Sequence, residues 1–97
     1  MAIPLGMVLG YGTWANGGVR CDPYVIDRVL DREGNVLYEH EPSCERVVSE
    51  RTADRVRRTL VGPVTPGGTA GNIRYSLGAG VFGKTGTTNS NVDAWFV

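Results

Sequence analysis

Among ten basic residues the chain has a single lysine, Lys84, and the other nine are arginines. Histidine is equally scarce, with His40 alone, and cysteine is limited to Cys21 and Cys44. Those three side chains cannot assemble a four-ligand zinc site, and no metal or organic cofactor is implied. Net charge is absent too: ten Lys and Arg balance ten Asp and Glu. A polyanion-coating protein needs a basic excess, so no nucleic-acid partner is expected. No stretch approaches the ~20 apolar residues of a membrane span. The opening MAIPLGMVLGYG is mildly apolar. It lacks a basic leader segment and a small-residue cleavage site, so it reads as structure rather than as a signal peptide. Internal repeats and low-complexity segments are missing as well.

What is present is a globular composition with many chain-reversal signals. The 97 residues amount to one small domain at most, with 41% hydrophobic residues and 14 glycines, about twice the usual glycine share of ~7%. Residues 1–18 read as a helix and its terminating turn. Pro4 suits a first helical position, Leu5, Val8, Leu9 and Trp14 give a rough apolar stripe, and Asn16-Gly17-Gly18 is a strong stop. Gly6, Gly10 and Gly12 each weaken that helix by up to about 1 kcal/mol relative to alanine, so packing must hold it. Residues 49–61 read as a second helix. Ser49 is the expected N-cap, Ala53, Val56 and Leu60 share a face, Arg51, Arg55 and Arg58 form the solvated side, and Gly62-Pro63 ends it. Residues 62–80 form a Gly- and Pro-punctuated connection, with a short strand or turn expected at 72–77. Residues 81–97 read as two strands around the polar turn Asn89-Ser90-Asn91.

Residues 19–48 carry a hairpin signal. Tyr24 to Leu30 is rich in strand formers, and Val36-Leu37-Tyr38 resumes after a turn containing Gly34 and Asn35. A turn near Glu33-Gly34 gives pairing partners whose numbers sum to about 67, which brings Cys21 into the neighbourhood of Cys44. Two readings stand: independent, partly buried thiols, or a disulfide closing 22 intervening residues. The bridge would need an oxidising compartment.

The stretch from Gly78 to Thr87 satisfies three patterns at once. Gly78 to Thr85 fits GxxxxGK[ST], the phosphate-wrapping P-loop, and the glycines at 78, 80 and 83 spell the dinucleotide fingerprint GxGxxG. Both nucleotide-binding alternatives require a helix starting near Lys84. The residues beyond Thr85 are Gly86-Thr87-Thr88-Asn89-Ser90-Asn91, among the poorest helix sequences available. The third pattern is Lys84-Thr85-Gly86, a signature element of penicillin-binding proteins and class A β-lactamases. Its neighbours agree. Pro4-Leu5-Gly6-Met7, the Tyr11 to Gly18 turn, the Pro23 to Leu37 hairpin, Gly68-Thr69, Gly83 to Asn89 and Asp93 to Val97 together resemble the transpeptidase domain of class A, bifunctional penicillin-binding proteins, in order and over nearly the whole chain.

This resemblance implies an α+β chain with a partial β-lactamase/transpeptidase-like fold: helix, β-hairpin, helix, then antiparallel strands carrying Lys-Thr-Gly. It implies that Lys84, Thr85, Gly86 and Thr87 bind substrate, with Lys84 and the Thr87 backbone N–H, an oxyanion-hole donor, as the catalytic contributions. On a strand, Thr85 and Thr87 present both hydroxyls to one side, and Gly86 between them allows close approach of the backbone to a ligand or a neighbouring helix. Implied partners are a peptidoglycan stem peptide ending in D-Ala-D-Ala, β-lactams that mimic it, and the remainder of the domain. The implied location is the extracytoplasmic face of the bacterial membrane, reached through an anchor elsewhere in a longer protein. The family also needs Ser-x-x-Lys and Ser-x-Asn, and neither occurs here. The chain is therefore expected to be a C-terminal-half segment, inactive alone; a non-catalytic module of the same fold is the alternative. Of the remaining residues, Trp14, Trp95 and Phe96 are expected in the core, Asp93 near the turn, and His40 exposed and unpartnered.

Overall fold

The computed structural model describes residues 3–78 and 80–97. Met1 and Ala2 of the first expected element, and Ala79 of the glycine-rich connection and the P-loop pattern, lie outside the described residues. Helix α1 spans Pro4–Ala15, with proline in its first turn and Asn16 at its C-cap, donating its backbone N–H to the carbonyl oxygen of Gly12. The Asn-Gly-Gly stop works as expected, and Gly18 donates to Thr13 O at 2.9 Å. The expected stripe on α1 lies partly on the solvent side, where Leu5 and Val8 are exposed and Thr13 is the buried residue. Thr13 is satisfied locally: its hydroxyl donates to Leu9 O at 2.8 Å.

Strand β1 (Val19–Cys21) pairs antiparallel with β4 (Cys44–Arg46), and β2 (Arg28–Leu30) with β3 (Val36–Glu39). Charge complements the register: Arg28 sits opposite Glu39 and Arg20 opposite Glu45, with N···O distances of 3.4 and 3.8 Å. Such cross-strand pairs add only tenths of a kcal/mol each, yet like charges there would oppose the alignment. The expected strand from Tyr24 to Leu30 is shorter than its composition suggests, with only Arg28–Leu30 laddered. Pro23 and Pro42 flank the gap between the two ladders, and neither has an N–H to donate. Across that gap Tyr24 stacks on His40 with ring centroids 3.9 Å apart. His40 is thus half-buried against an aromatic ring, not the exposed and unpartnered residue expected.

The hairpin turn is organised by one carboxylate. Asp31 accepts through Oδ1 from the backbone N–H groups of Glu33 and Asn35 at 3.0 and 2.8 Å, and through Oδ2 from the Asn35 side-chain amide at 2.9 Å. These bonds, the Asn35 side chain foremost, hold its pKa below the ordinary carboxylate value. A depressed carboxylate stabilises the fold above its unfolded pKa and loses that contribution as pH falls through the folded value. Residues 31–35 are therefore expected to be fully ordered near neutrality and to lose order below about pH 4. Amide chemical shifts of Glu33 and Asn35 followed through an acid titration check this, and Asp31→Ala should abolish the transition.

Helix α2 runs Glu50–Val61, with Ser49 as N-cap accepting from the Thr52 N–H at 3.2 Å. Ala53 is completely buried and Arg51, Arg55 and Arg58 face solvent, as their spacing predicts. A 3₁₀ turn, Gly62–Val64, ends the helix at the glycine-proline pair. The connection then differs from expectation. Residues 72–77 are helical: a 3₁₀ turn, Gly71–Ile73, leads into the single-turn helix α3 (Arg74–Leu77). Gly78, at φ 79°, ends α3 and donates to Arg74 O. Local bonds satisfy this backbone, and no strand lies beside it among the described residues.

The last two strands, β5 (Thr85–Thr87) and β6 (Ala94–Phe96), form the third antiparallel pair. The radius of gyration is 17.6 Å, against about 13 Å for a compact domain of this length. Buried apolar side chains are confined to Ala53, Val64 and Ala70 among the described residues. The expectation that Trp95 and Phe96 are core residues fails within this chain, since they are 40% and 39% exposed, while Trp14 is half-buried. Two-stranded sheets leave one face of each strand uncovered, so these aromatic rings have too few neighbours here to be enclosed.

Candidate functional site

The β5–β6 pair is closed by the turn at Asn89–Asn91, where Ser90 and Asn91 adopt φ of 63° and 56°. Short polar side chains tolerate this left-handed region better than most. Asp93 serves the turn through its backbone: its N–H donates to Thr88 Oγ1 at 2.9 Å and its carbonyl accepts from the Thr88 N–H at 3.0 Å. Lys84 and Val97 exchange backbone bonds at 3.0 and 3.2 Å. Antiparallel ladders alternate bonded and non-bonded pairs. With Lys84 and Thr88 both bonded to the β6 side, Thr85 (opposite Phe96) and Thr87 (opposite Ala94) occupy non-bonded positions. Their backbone N–H and C=O groups therefore point to the outer edge of β5, which has no strand partner among the described residues.

The side chains converge on that edge. Lys84 Nζ donates to the outward-facing Thr85 carbonyl at 2.8 Å and lies 3.2 Å from Thr85 Oγ1. Thr85 Oγ1 donates in turn to Thr69 Oγ1 at 2.9 Å, across sixteen positions of sequence. Lys84, Thr87 and Thr69 are exposed, and Thr85 is half-buried between them.

Two glycines make this juxtaposition possible. A Cβ on Gly68 would overlap the carbonyl oxygens of Gly62 and Pro63, so the loop can fold back on the end of α2 only without a side chain there. A Cβ on Gly83 would overlap Val97 O and the Phe96 ring, and Gly83 N–H donates to Leu60 O at 3.0 Å, tying the start of β5 to α2. Within this chain, a Cβ on Gly86 would meet only Trp95 Cβ at 3.9 Å, an ordinary contact. Around β5 the tight approach falls at Gly83, three residues before Gly86.

Residues 2–97 match the penicillin binding protein transpeptidase domain family. The chain belongs to that family. It is 39% identical over 94 residues to penicillin-binding protein 1A of Clostridium tetani, covering 95% of this chain and 12% of that protein. It is 39% identical over 94 residues to penicillin-binding protein 1A of Aquifex aeolicus, covering 97% of this chain and 13% of that protein. The relative from Neisseria lactamica is 35% identical over 99 residues. The chain thus spans about an eighth of the length of these curated relatives, as the resemblance to a segment of a class A penicillin-binding protein implies.

Helices with small antiparallel sheets agree with a partial transpeptidase fold. They disagree with both nucleotide-binding alternatives, because Lys84 is followed by the strand Thr85–Thr87 and not by a helix. Without a helix N-terminus after the glycines, no array of aligned N–H groups forms to cradle phosphates. Sequence reasoning placed Lys84, Thr85, Gly86 and Thr87 on one strand; β5 spans Thr85–Thr87, and Lys84 lies immediately before it, bonded through its backbone to Val97. It singled out Gly68-Thr69 only as part of the family likeness. The hydroxyl contact from Thr69 to Thr85 has no local signal, because a loop reversal after α2 creates it. Among the described residues no helix is long and apolar enough to cross a membrane.

Proposed function

We propose that this chain supplies the substrate-binding strand of a serine D,D-transpeptidase that cross-links peptidoglycan stem peptides and is acylated by β-lactams. The observation that carries the proposal is the outer edge of β5, which has no strand partner among the described residues and where the Lys84 ammonium contacts Thr85 and the Thr87 N–H points outward. Lys84 attracts the terminal carboxylate of a D-Ala-D-Ala peptide, and the two hydroxyls hydrogen-bond it. The extended peptide lies along β5, using the outward N–H and C=O groups as a further strand would. A serine carried elsewhere in the longer protein attacks the penultimate D-Ala carbonyl. The Thr87 N–H donates to the oxyanion that develops there, a contact that stabilises the transition state by several kcal/mol when preorganised. The carbonyl–nitrogen bond breaks, terminal D-Ala leaves with a proton, and a neighbouring stem-peptide amine displaces the serine to form the cross-link. The site works at the extracytoplasmic face of the membrane, with the longer protein carrying the anchor.

Ser-x-x-Lys is absent from these residues, so the nucleophile must come from elsewhere in the protein. A fluorescent penicillin is expected to label the complete protein covalently and to leave the isolated 97-residue chain unlabelled on a denaturing gel. A covalent adduct on the isolated chain would show that the nucleophile assignment is wrong.

A further inference from the structure

We infer that Thr69 is a positioning residue for Thr85, holding its hydroxyl in the orientation that accepts a substrate carboxylate; this rests on the function proposed above. A threonine hydroxyl has one proton to donate and two lone pairs to accept with. In the ligand-free arrangement Lys84 Nζ lies 3.2 Å from Thr85 Oγ1 as a donor, and Thr85 passes its own proton to Thr69 Oγ1 at 2.9 Å. A carboxylate arriving beside Lys84 competes for the Thr85 proton, and the charge-assisted bond is the stronger one. Thr85 then turns its proton to the ligand. Thr69 reverses its role and donates to the lone pair that Thr85 has left open. The Thr85 oxygen is satisfied in both arrangements and moves little between them.

The loop around Thr69 is built to hold that position. Gly68 N–H donates to Thr65 O at 2.9 Å, Ala70 N–H to Pro63 O at 2.9 Å and Gly71 N–H to Gly68 O at 3.1 Å. Ala70, the next residue, is 4% exposed and Val64 is 4% exposed, so the loop is pinned by burial on one side of Thr69. Thr69 itself is exposed. An exposed β-branched residue between a sterically locked glycine and a buried alanine has its backbone set and few rotamers available. Such a hydroxyl acts on ligand binding more than on the chemical step.

The test uses the complete protein and separates the non-covalent binding constant from the acylation rate constant for a carboxylate-bearing β-lactam. Thr69→Val keeps the shape and removes the hydroxyl. It is expected to weaken binding by on the order of 3- to 10-fold, with the acylation rate constant nearly unchanged. Thr69→Ser should restore binding, and the same β-lactam with its carboxylate esterified should show no Thr69→Val effect. In a Thr85→Val background, Thr69→Val should cost nothing further, which also controls for a general disturbance of the loop. Unchanged binding in Thr69→Val, an equal loss with the ester, or additive losses in the double variant would each overturn the inference. Failure of the function proposed above gives a different result, namely acylation that is indifferent to removal of the Lys84 charge.

Discussion

Lys84→Met in the complete protein is expected to lower the second-order rate constant for acylation by a β-lactam on the order of 10²-fold, with little change in stability. The size follows from the interaction removed. A hydrogen bond to a charged group contributes about 1.5–3 kcal/mol, and here the ion on the protein and the ion on the ligand both lose a partner. Stability should be spared because the fold uses Lys84 through its backbone, in the bonds it exchanges with Val97. Its side chain is exposed and, among the described residues, bonds only to Thr85, and substitutions at such positions usually change stability by about 0.5 kcal/mol or less. Lys84→Arg should recover part of the rate, since the charge is kept but a planar fork replaces a compact point donor. Acylation kinetics with a chromogenic cephalosporin, together with thermal unfolding of the same samples, measure both quantities. Wild-type kinetics in Lys84→Met would remove the basis for assigning β5 as the carboxylate site.

The second large effect concerns Cys21 and Cys44, which form a disulfide at directly opposed positions of the β1–β4 ladder. Replacing both by serine is expected to destabilise the complete domain by about 3 kcal/mol, the loop-closure value for a bridge of this span. In a domain of a few hundred residues that loss lowers the melting temperature by roughly 6–12 °C. The bridge ties the base of the hairpin where Pro23 and Pro42 interrupt backbone pairing. The β1–β4 ladder beyond it has two residue pairs, Arg20–Glu45 and Val19–Arg46, and an Arg46 guanidinium donating to Gly17 O at 2.9 Å and Val48 O at 3.1 Å. Reductant should reproduce the loss in the parent protein and have no effect on the Cys21→Ser, Cys44→Ser variant. Rapid alkylation of both cysteines in the oxidised, folded protein would show instead that they are free thiols. A bridge that persists also agrees with an extracytoplasmic location, because reducing compartments keep such thiols apart.

The elements legible in the sequence are those whose determinants act within a few residues. Pro4 and Asn16-Gly17-Gly18 bound α1, Ser49 and Gly62-Pro63 bound α2, and Asn89-Ser90-Asn91 turns β5 into β6. Caps, fixed φ angles and turn conformations need no distant partner to operate, so residue type alone indicates them. The Lys84 strand was readable for the same reason, since the helix that both nucleotide motifs require has no local support. The hairpin was half legible. The expected partner sum of 67 holds at Arg28–Glu39 and Val29–Tyr38, but the unequal segments between the two ladders, residues 22–27 on one side and 40–43 on the other, shift the outer ladder. That shift turns proximity of Cys21 and Cys44 into direct opposition.

The rest was decided by tertiary structure. Composition alone does not show that residues 72–77 would close local helical turns, because strand pairing, which they lack among the described residues, is a property of the whole arrangement. Nor does it show that Trp95 and Phe96 would lie at the surface of this chain, since their period and size are those of core residues. The Thr69–Thr85 contact depends on a reversal that Gly68 permits and on the anchoring of Gly83 to Leu60. Residue types and short spacings determined which elements form and which strand carries the charge. Only the reversal of the loop after α2 and the Gly83–Leu60 bond decided which hydroxyls meet at its edge, because a bond spanning sixteen residues is set by the path of the chain between them.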